Sequence, residues 1–234
     1  MHMPYKQLPL AFHFHRHANF TNFVIGDNQD VVALLQQIKK QTHTNVLYLW
    51  GPKGVGKTHL LYASCQLWHE QQYPVSYLTL RDSASLTPAA LEQLAGQSLI
   101  VLDDIDAVAG QLAWETALFH LYNAAVQTQS TLILSAQCAP RMLNCQLADW
   151  QSRLTASLVY QIKSVDDAGK RQILIERAQQ LGLTLPMSVA DYLLQHYSRD
   201  LLDLLQMLQR LDHASLASQR ALTIPFIKMV LTEL

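Results

Sequence analysis

The sequence predicts an α/β fold: a five-stranded parallel sheet followed by a small all-helical domain. Three observations carry that prediction. From about residue 18 to 164, short and nearly continuous apolar runs alternate with longer amphipathic ones. That is the pattern of parallel strands joined by crossover helices. A glycine-rich loop, Gly51-Pro-Lys-Gly-Val-Gly-Lys-Thr58, sits between the first apolar run and the first helical stretch. After about residue 165 the strand signals stop and only helical spacing remains.

Residues 1–17 read as an extended arm, because Pro4 and Pro9 break periodicity and apolar residues alternate with histidines. The strands are expected at Val46–Trp50, Val75–Leu80, Ser98–Leu102, Thr131–Ser135 and Leu158–Ile162. Several are apolar throughout, as strands buried on both faces must be. Helices are expected near 57–72, 88–95, 112–128 and 147–153, between the strands. Four more follow near 167–181, 187–197, 199–218 and 224–233, with Pro186 and Pro225 at helix starts. The expected division is therefore an arm over 1–17, an α/β domain over 18–164 and a helical domain over 165–234. No internal repeat or low-complexity tract interrupts it.

Composition narrows the function. The chain has 234 residues, 50% of them hydrophobic and 15% charged, which excludes a disordered chain. The net charge of −1 provides no general cationic surplus for sequence-independent nucleic-acid binding. The cysteines, Cys65, Cys138 and Cys145, are odd in number and show no CxxC spacing. They suggest neither a disulfide framework nor a zinc site, and read as reduced thiols of a cytoplasmic protein. No run of 18 apolar residues is present, so no membrane span is expected. The N-terminus lacks the charged leader, apolar core and cleavage site of a signal peptide. His13, His15 and His17 alternate along the arm without a carboxylate or cysteine partner, and are not read as a metal site.

The loop at 51–58 fits G-x-x-x-x-G-K-[ST] in full, between a strand and a helix. Glycines let backbone amides turn toward a phosphate, and the helix N-terminus adds a favourable dipole. Gly51, Lys53, Gly54, Val55, Gly56, Lys57, Thr58 and His59 are the nucleotide-binding candidates here, with Lys57 reaching the terminal phosphates. The run Ser98-Leu-Ile-Val-Leu-Asp103-Asp104 ends an apolar strand in two carboxylates, where ligands bind in open α/β sheets. Thr58 and Asp103 are the candidates to hold Mg²⁺. Asp104 is the candidate to polarise an attacking water.

These motifs together resemble an AAA+ ATPase with a P-loop core and a helical lid. Phe23-Val-Ile-Gly26 before a helix, Leu118-Phe-His-Leu-Tyr-Asn123 and Ser152-Arg153-Leu154 are similar to the FVxG, FFHTFN and SRF motifs of the bacterial initiator DnaA. Gln7-Leu-Pro-Leu-Ala-Phe12 resembles the Q-L-x-L-x-[LF] peptide that docks on the DNA polymerase sliding clamp. With the closing stretch LDHAS…QRALTIPFIKMVL, the whole resembles the Hda family of DnaA homologues. No helix-turn-helix module is expected after the lid.

The resemblance implies a negative regulator of replication initiation that binds ADP or ATP. It implies docking on the clamp through Gln7, Leu8, Leu10 and Phe12, and meeting DNA only indirectly, through the loaded clamp. Arg153 is then the arginine supplied in trans to ATP held by DnaA. Phe119 and Asn123, four apart on one helix face, would lie at the partner interface. Phe23 and Val24 would line the base pocket, and a homo-oligomer is compatible with the family. Two positions depart from the family: Gln137 stands at the polar sensor after the fourth strand, and Leu202 at the arginine sensor of the lid. Weak or no intrinsic ATP turnover is expected in consequence. The alternative, a stand-alone AAA+ ATPase or helicase loader hydrolysing its own ATP, draws on the intact phosphate loop and Asp104.

Overall fold

The computed structural model of the chain describes residues 18–38 and 46–232. The arm, with Gln7, Leu8, Leu10 and Phe12 and the three alternating histidines, lies outside the described residues. Five parallel strands form the sheet: β1 (Val46–Trp50), β2 (Val75–Thr79), β3 (Leu99–Asp103), β4 (Thr131–Ala136) and β5 (Leu158–Gln161). Their spatial order is β2-β3-β4-β1-β5, so Tyr48 on β1 pairs with Leu134 on one side and Val159 on the other. Helix α1 (Gln29–Gln37) precedes the sheet, and α2 (Lys57–Glu70), α3 (Leu112–Thr128) and α4 (Ala148–Thr155) connect its strands.

The period of two along each strand separates two cores. Tyr48, Ile100, Leu102, Leu132 and Leu134 point toward α3 and α4, where Trp114, Leu118 and Trp150 meet them. Leu47, Leu49, Leu99, Val101 and Ile133 point the other way, onto Val31 and Leu35 of α1 and Leu60, Leu61 and Trp68 of α2. The two edge strands are the exceptions to full burial: β2 is half-buried throughout, and β5 is the more exposed. On β5, Leu158 and Val159 are exposed.

Many element ends move by one or two residues: the helix expected over 57–72 ends at Glu70, and that over 147–153 runs from Ala148 to Thr155. Three differences have a local cause. The helix expected over 88–95 is a 3₁₀ segment, Pro88–Leu94, that buries Leu91 alone. Seven residues between a proline start and Gly96 at φ +87° are too few to propagate an α-helix that one buried side chain must hold. Strand β3 runs one residue later than expected. Ser98 donates its N–H to Pro74 in the turn, and Asp103 pairs with Thr79 as the last strand residue. The helix expected from 199 begins at Leu201, because the Asp200 carboxylate accepts from the Leu202 and Asp203 N–H groups at 2.8 and 3.2 Å.

The helical domain comprises α5 (Asp167–Gln180), α6 (Met187–His196), α7 (Leu201–Ser218) and α8 (Ile224–Thr232). Leu174, Leu193, Leu204, Leu208, Leu211 and Ile227 form its own core, separate from those of the sheet. Among the described residues no helix is long and apolar enough to cross a membrane.

One buried carboxylate fixes α4. Glu115, in the first turn of α3, is 1% exposed and accepts three backbone N–H groups: Gly110 at 2.7 Å, Gln146 at 2.8 Å and Leu147 at 2.7 Å. It thus joins the loop before α3 to the start of α4, whose first N–H groups have no intrahelical partner. Glu115→Ala leaves those donors unpaired and is expected to cost about 3 kcal/mol. Urea unfolding followed by circular dichroism checks the value, and a loss near zero would remove this role.

Candidate nucleotide site

The chain leaves β1 at Trp50, turns through Gly51–Gly56 and enters α2 at Lys57. The turn depends on glycine at two points. Gly56 has φ +97°, and a Cβ there would sit 2.7 Å from the Phe23 ring. Gly54 has φ +83°, and a Cβ there would meet the Leu202 side chain at 3.1 Å. The loop is therefore pressed by Phe23 from the N-terminal segment and by Leu202 from α7.

Lys57 is buried, and its ammonium donates to the Gly51 and Pro52 carbonyls at 2.7 and 3.0 Å. Burial pulls its pKa below the ordinary value of 10.5, while Asp104 and Asp103 pull it back. The Thr58 hydroxyl donates to Asp103 Oδ2 at 2.7 Å, and Tyr77 donates to the same oxygen at 2.9 Å. Ser135 donates to Asp103 Oδ1, which also lies 3.1 Å from the Asp104 amide. Asp104, in the left-handed region at φ +55°, pairs with Arg81 at 2.6 Å. Burial pushes the Asp104 carboxyl up, the Asp103 carboxylate adds to that, and Arg81 opposes it.

A cleft of about 750 Å³ opens above these groups, between the sheet's C-terminal edge and the helical domain. Phe23, Val24, Lys53, Gly54, Val55, Gly56, Lys57, Thr58 and His59 line it with Asp103 and Asp104. Gly51 forms the base of the loop, where its N–H donates to Ala136 at 3.3 Å. His59 lies with its ring 5.4 Å from Phe23 and its Nε2 2.9 Å from the Asn19 carbonyl, to which it donates. Leu202 lines the cleft, whereas Gln137 is exposed just after β4 and does not. Two residues earlier, Ser135 makes the contact with Asp103.

The structure brings other residues to the cleft that the sequence did not single out: Tyr77 and Arg81 from the end of β2, and Lys170 and Arg177 from α5. Tyr77 and Thr79 alternate on β2, so a period-two reading would have put them on one face, and Arg81 follows in the turn after the strand. Ser135 was equally visible as the polar residue in an otherwise apolar run over 132–136.

Arg153, Phe119 and Asn123 stand apart from the cleft. Arg153 is exposed on α4, its guanidinium 5.6 Å from the centroid of the Tyr122 ring on α3. Phe119 is half-buried against the sheet core, and Asn123 is half-buried one turn further along α3.

The donors around Asp103 decide how a magnesium ion would fare here. Thr58 and Asp103, the residues that would hold a magnesium ion, touch each other: the Thr58 hydroxyl donates to Asp103 and keeps its lone pairs for a metal, and the Asp104 N–H is shared between Asp103 Oδ1 at 3.1 Å and Ser135 Oγ at 3.0 Å. Among the described residues no group of three or more His, Cys, Asp or Glu side chains could hold a metal ion.

Residues 14–161 fit the family model described as the bacterial DnaA ATPase domain. The chain belongs to that family. Residues 167–231 fit a second model, described as the Hda lid domain, so the chain is an Hda-like, DnaA-homologous AAA+ protein. It is similar to domain III of the Thermotoga maritima replication initiation protein DnaA, with 18% identity, a TM-score of 0.77, and coverage of 92% of this chain and 96% of that one. The AMPPCP-bound DnaA from Aquifex aeolicus gives 22% identity and a TM-score of 0.69, over 84% of this chain and 65% of that one. A point variant of Thermotoga maritima RuvB gives 14% identity and a TM-score of 0.70, over 94% of this chain and 73% of that one. Likenesses this distant establish the AAA+ fold shared by the three.

His59 makes one consequence of the cleft measurable. Burial holds its pKa below the ordinary 6.5, and the Arg177 charge acts in the same direction against the Asn19 bond. The unfolded chain therefore takes up the proton first as pH falls. Stability from this residue is complete above pH 6.5 and is lost progressively below it, down to the folded-state pKa. In thermal unfolding at stepped values from about pH 7 to about pH 5, wild type should lose more stability than His59→Gln. Parallel curves for the two proteins would dismiss the effect.

Proposed function

We propose that this DnaA-family chain is a nucleotide-bound negative regulator of replication initiation, which activates hydrolysis of ATP held by DnaA rather than its own. The observation that carries this reading is the fit of residues 167–231 to the Hda lid behind a DnaA-type ATPase domain. The cleft supports an ADP or ATP ligand. Loop amides and the start of α2 face the phosphates, Lys57 supplies charge, and Phe23, Val24 and His59 flank the base.

Arg153 is the arginine presented in trans. Its exposure on α4, away from the chain's own cleft, supports that role, and Tyr122 beneath it holds the guanidinium outward. An arginine reaching a neighbour's ATP stabilises charge on the transferring phosphoryl group, an effect worth on the order of 10³–10⁵ in rate. Phe119 and Asn123 lie on the helix that carries Tyr122 and belong to the same contact surface with DnaA. Gln7, Leu8, Leu10 and Phe12 tether the protein to the sliding clamp, and through it to DNA. Asp104 retains the place of a water-polarising group. Its ion pair with Arg81 and the uncharged Leu202 favour weak turnover over a stand-alone motor.

A reconstituted assay combines ATP-loaded DnaA, DNA-loaded clamp and this protein. Hydrolysis of DnaA-bound ATP should rise with wild type, and Arg153→Ala should remove at least about 10³-fold of any such gain. Gln7→Ala should lose the clamp-dependent part while keeping nucleotide affinity. No acceleration by wild type would reject the regulator reading, and rapid turnover by the isolated chain would favour the stand-alone ATPase.

A further inference from the structure

We propose that Tyr122 is a positioning residue for Arg153: its ring orients the guanidinium on the outer surface while leaving every N–H donor of that group open to a phosphate. This deepens the regulator reading above and rests on it. Arg153 stands exposed in the last turn of α4, with its guanidinium carbon 5.6 Å from the centroid of the Tyr122 ring. Among the described residues no carboxylate forms an ion pair with it, the pairs being those of Arg81, Lys170, Arg171 and Arg199. A carboxylate would orient the guanidinium too, but it would take up donors and offset the charge. An aromatic face does neither, because the cation is attracted to the ring itself.

The ring is in turn held by the core. Tyr122 meets Trp150 nearly at right angles, with centroids 6.4 Å apart and planes 78° from parallel, and Trp150 is 2% exposed. Trp150 and Arg153 are three apart on α4, so both reach the same side of that helix. Tyr122 of α3 thus lies against the two of them, anchored by one and carrying the other. Glu115 ties the start of α4 to the same helix α3. A long charged side chain otherwise loses much rotamer freedom on meeting its target. The stacked ring removes part of that loss beforehand, as preorganisation does. Phosphoryl transfer depends on positioning and charge, so the benefit belongs to the rate within the assembled complex rather than to its formation.

The test measures hydrolysis of DnaA-bound ATP, with DNA-loaded clamp, over a range of concentrations of this protein. Tyr122→Leu should lower the maximal rate about tenfold and leave the half-saturating concentration within about twofold of wild type. Tyr122→Phe keeps the ring and should stay within about twofold in both. Tyr122→Met serves in place of Tyr122→Leu where the latter does not fold. In an Arg153→Ala background, Tyr122→Leu should change nothing further. The Arg153 Nε–H resonance of the full chain should also move downfield in Tyr122→Leu, as ring shielding is lost, and stay in place in Tyr122→Phe. An unchanged maximal rate in Tyr122→Leu overturns the proposal, as does an equal loss in the Arg153→Ala background or a Tyr122→Phe protein as poor as Tyr122→Leu. A raised half-saturating concentration at an unchanged maximal rate also overturns it, making Tyr122 a docking contact. No acceleration by wild type rejects the regulator reading, and the proposal with it, whereas acceleration indifferent to Tyr122 rejects the proposal alone.

Discussion

The Asp103 carboxylate is the point on which the candidate site depends. It lies at the end of β3 and receives hydroxyl donors from α2, β2 and β4, so one side chain joins four elements at the mouth of the cleft. A buried charge is tolerable only when its acceptor positions are filled. Here that requirement positions the phosphate loop as well. Thr58 is pulled onto Asp103, and the neighbouring Lys57 is turned back onto the loop carbonyls. The sheet order β2-β3-β4-β1-β5 makes the convergence possible, because β3 has β2 and β4 on its two sides.

A second carboxylate does similar work at the other end of the α/β domain. Glu115 gathers three backbone amides and sets the start of α4 against α3. That places Arg153 over Tyr122 on the outer surface, while the phosphate loop opens inward. The two polar anchors thus lie on different sides of the domain, one at the cleft and one behind the surface on which Arg153 is exposed.

Much of the fold was legible because burial on both faces leaves strands apolar throughout. β1 and α3 fall on the residues the pattern indicates, and β2, β4 and β5 differ by a single terminal residue. The misreadings have local causes. Polar competition at Asp200 delays α7, and the proline-to-glycine span at 88–96 permits only 3₁₀ turns. In the site, the phosphate loop and the paired aspartates were visible because their spacing is local. Their partners were not. Tyr77 and Ser135 come from other strands and Arg81 from the turn after β2, and only the assembled sheet sets them beside Asp103 and Asp104. Lys170 and Arg177 were hidden further still, since they reach the cleft from the helical domain.

Leu202 joins the two domains. It sets a leucine of α7 directly against Gly54 of the phosphate loop. A charged contact at that place would weaken with ionic strength, because salt screens it. An apolar contact behaves oppositely: it is indifferent to simple salts, strengthened by excluded ones such as sulfate, and weakened by cooling. The seat of the helical domain on the loop is therefore tuned by temperature and by water structure rather than by the electrolyte around it.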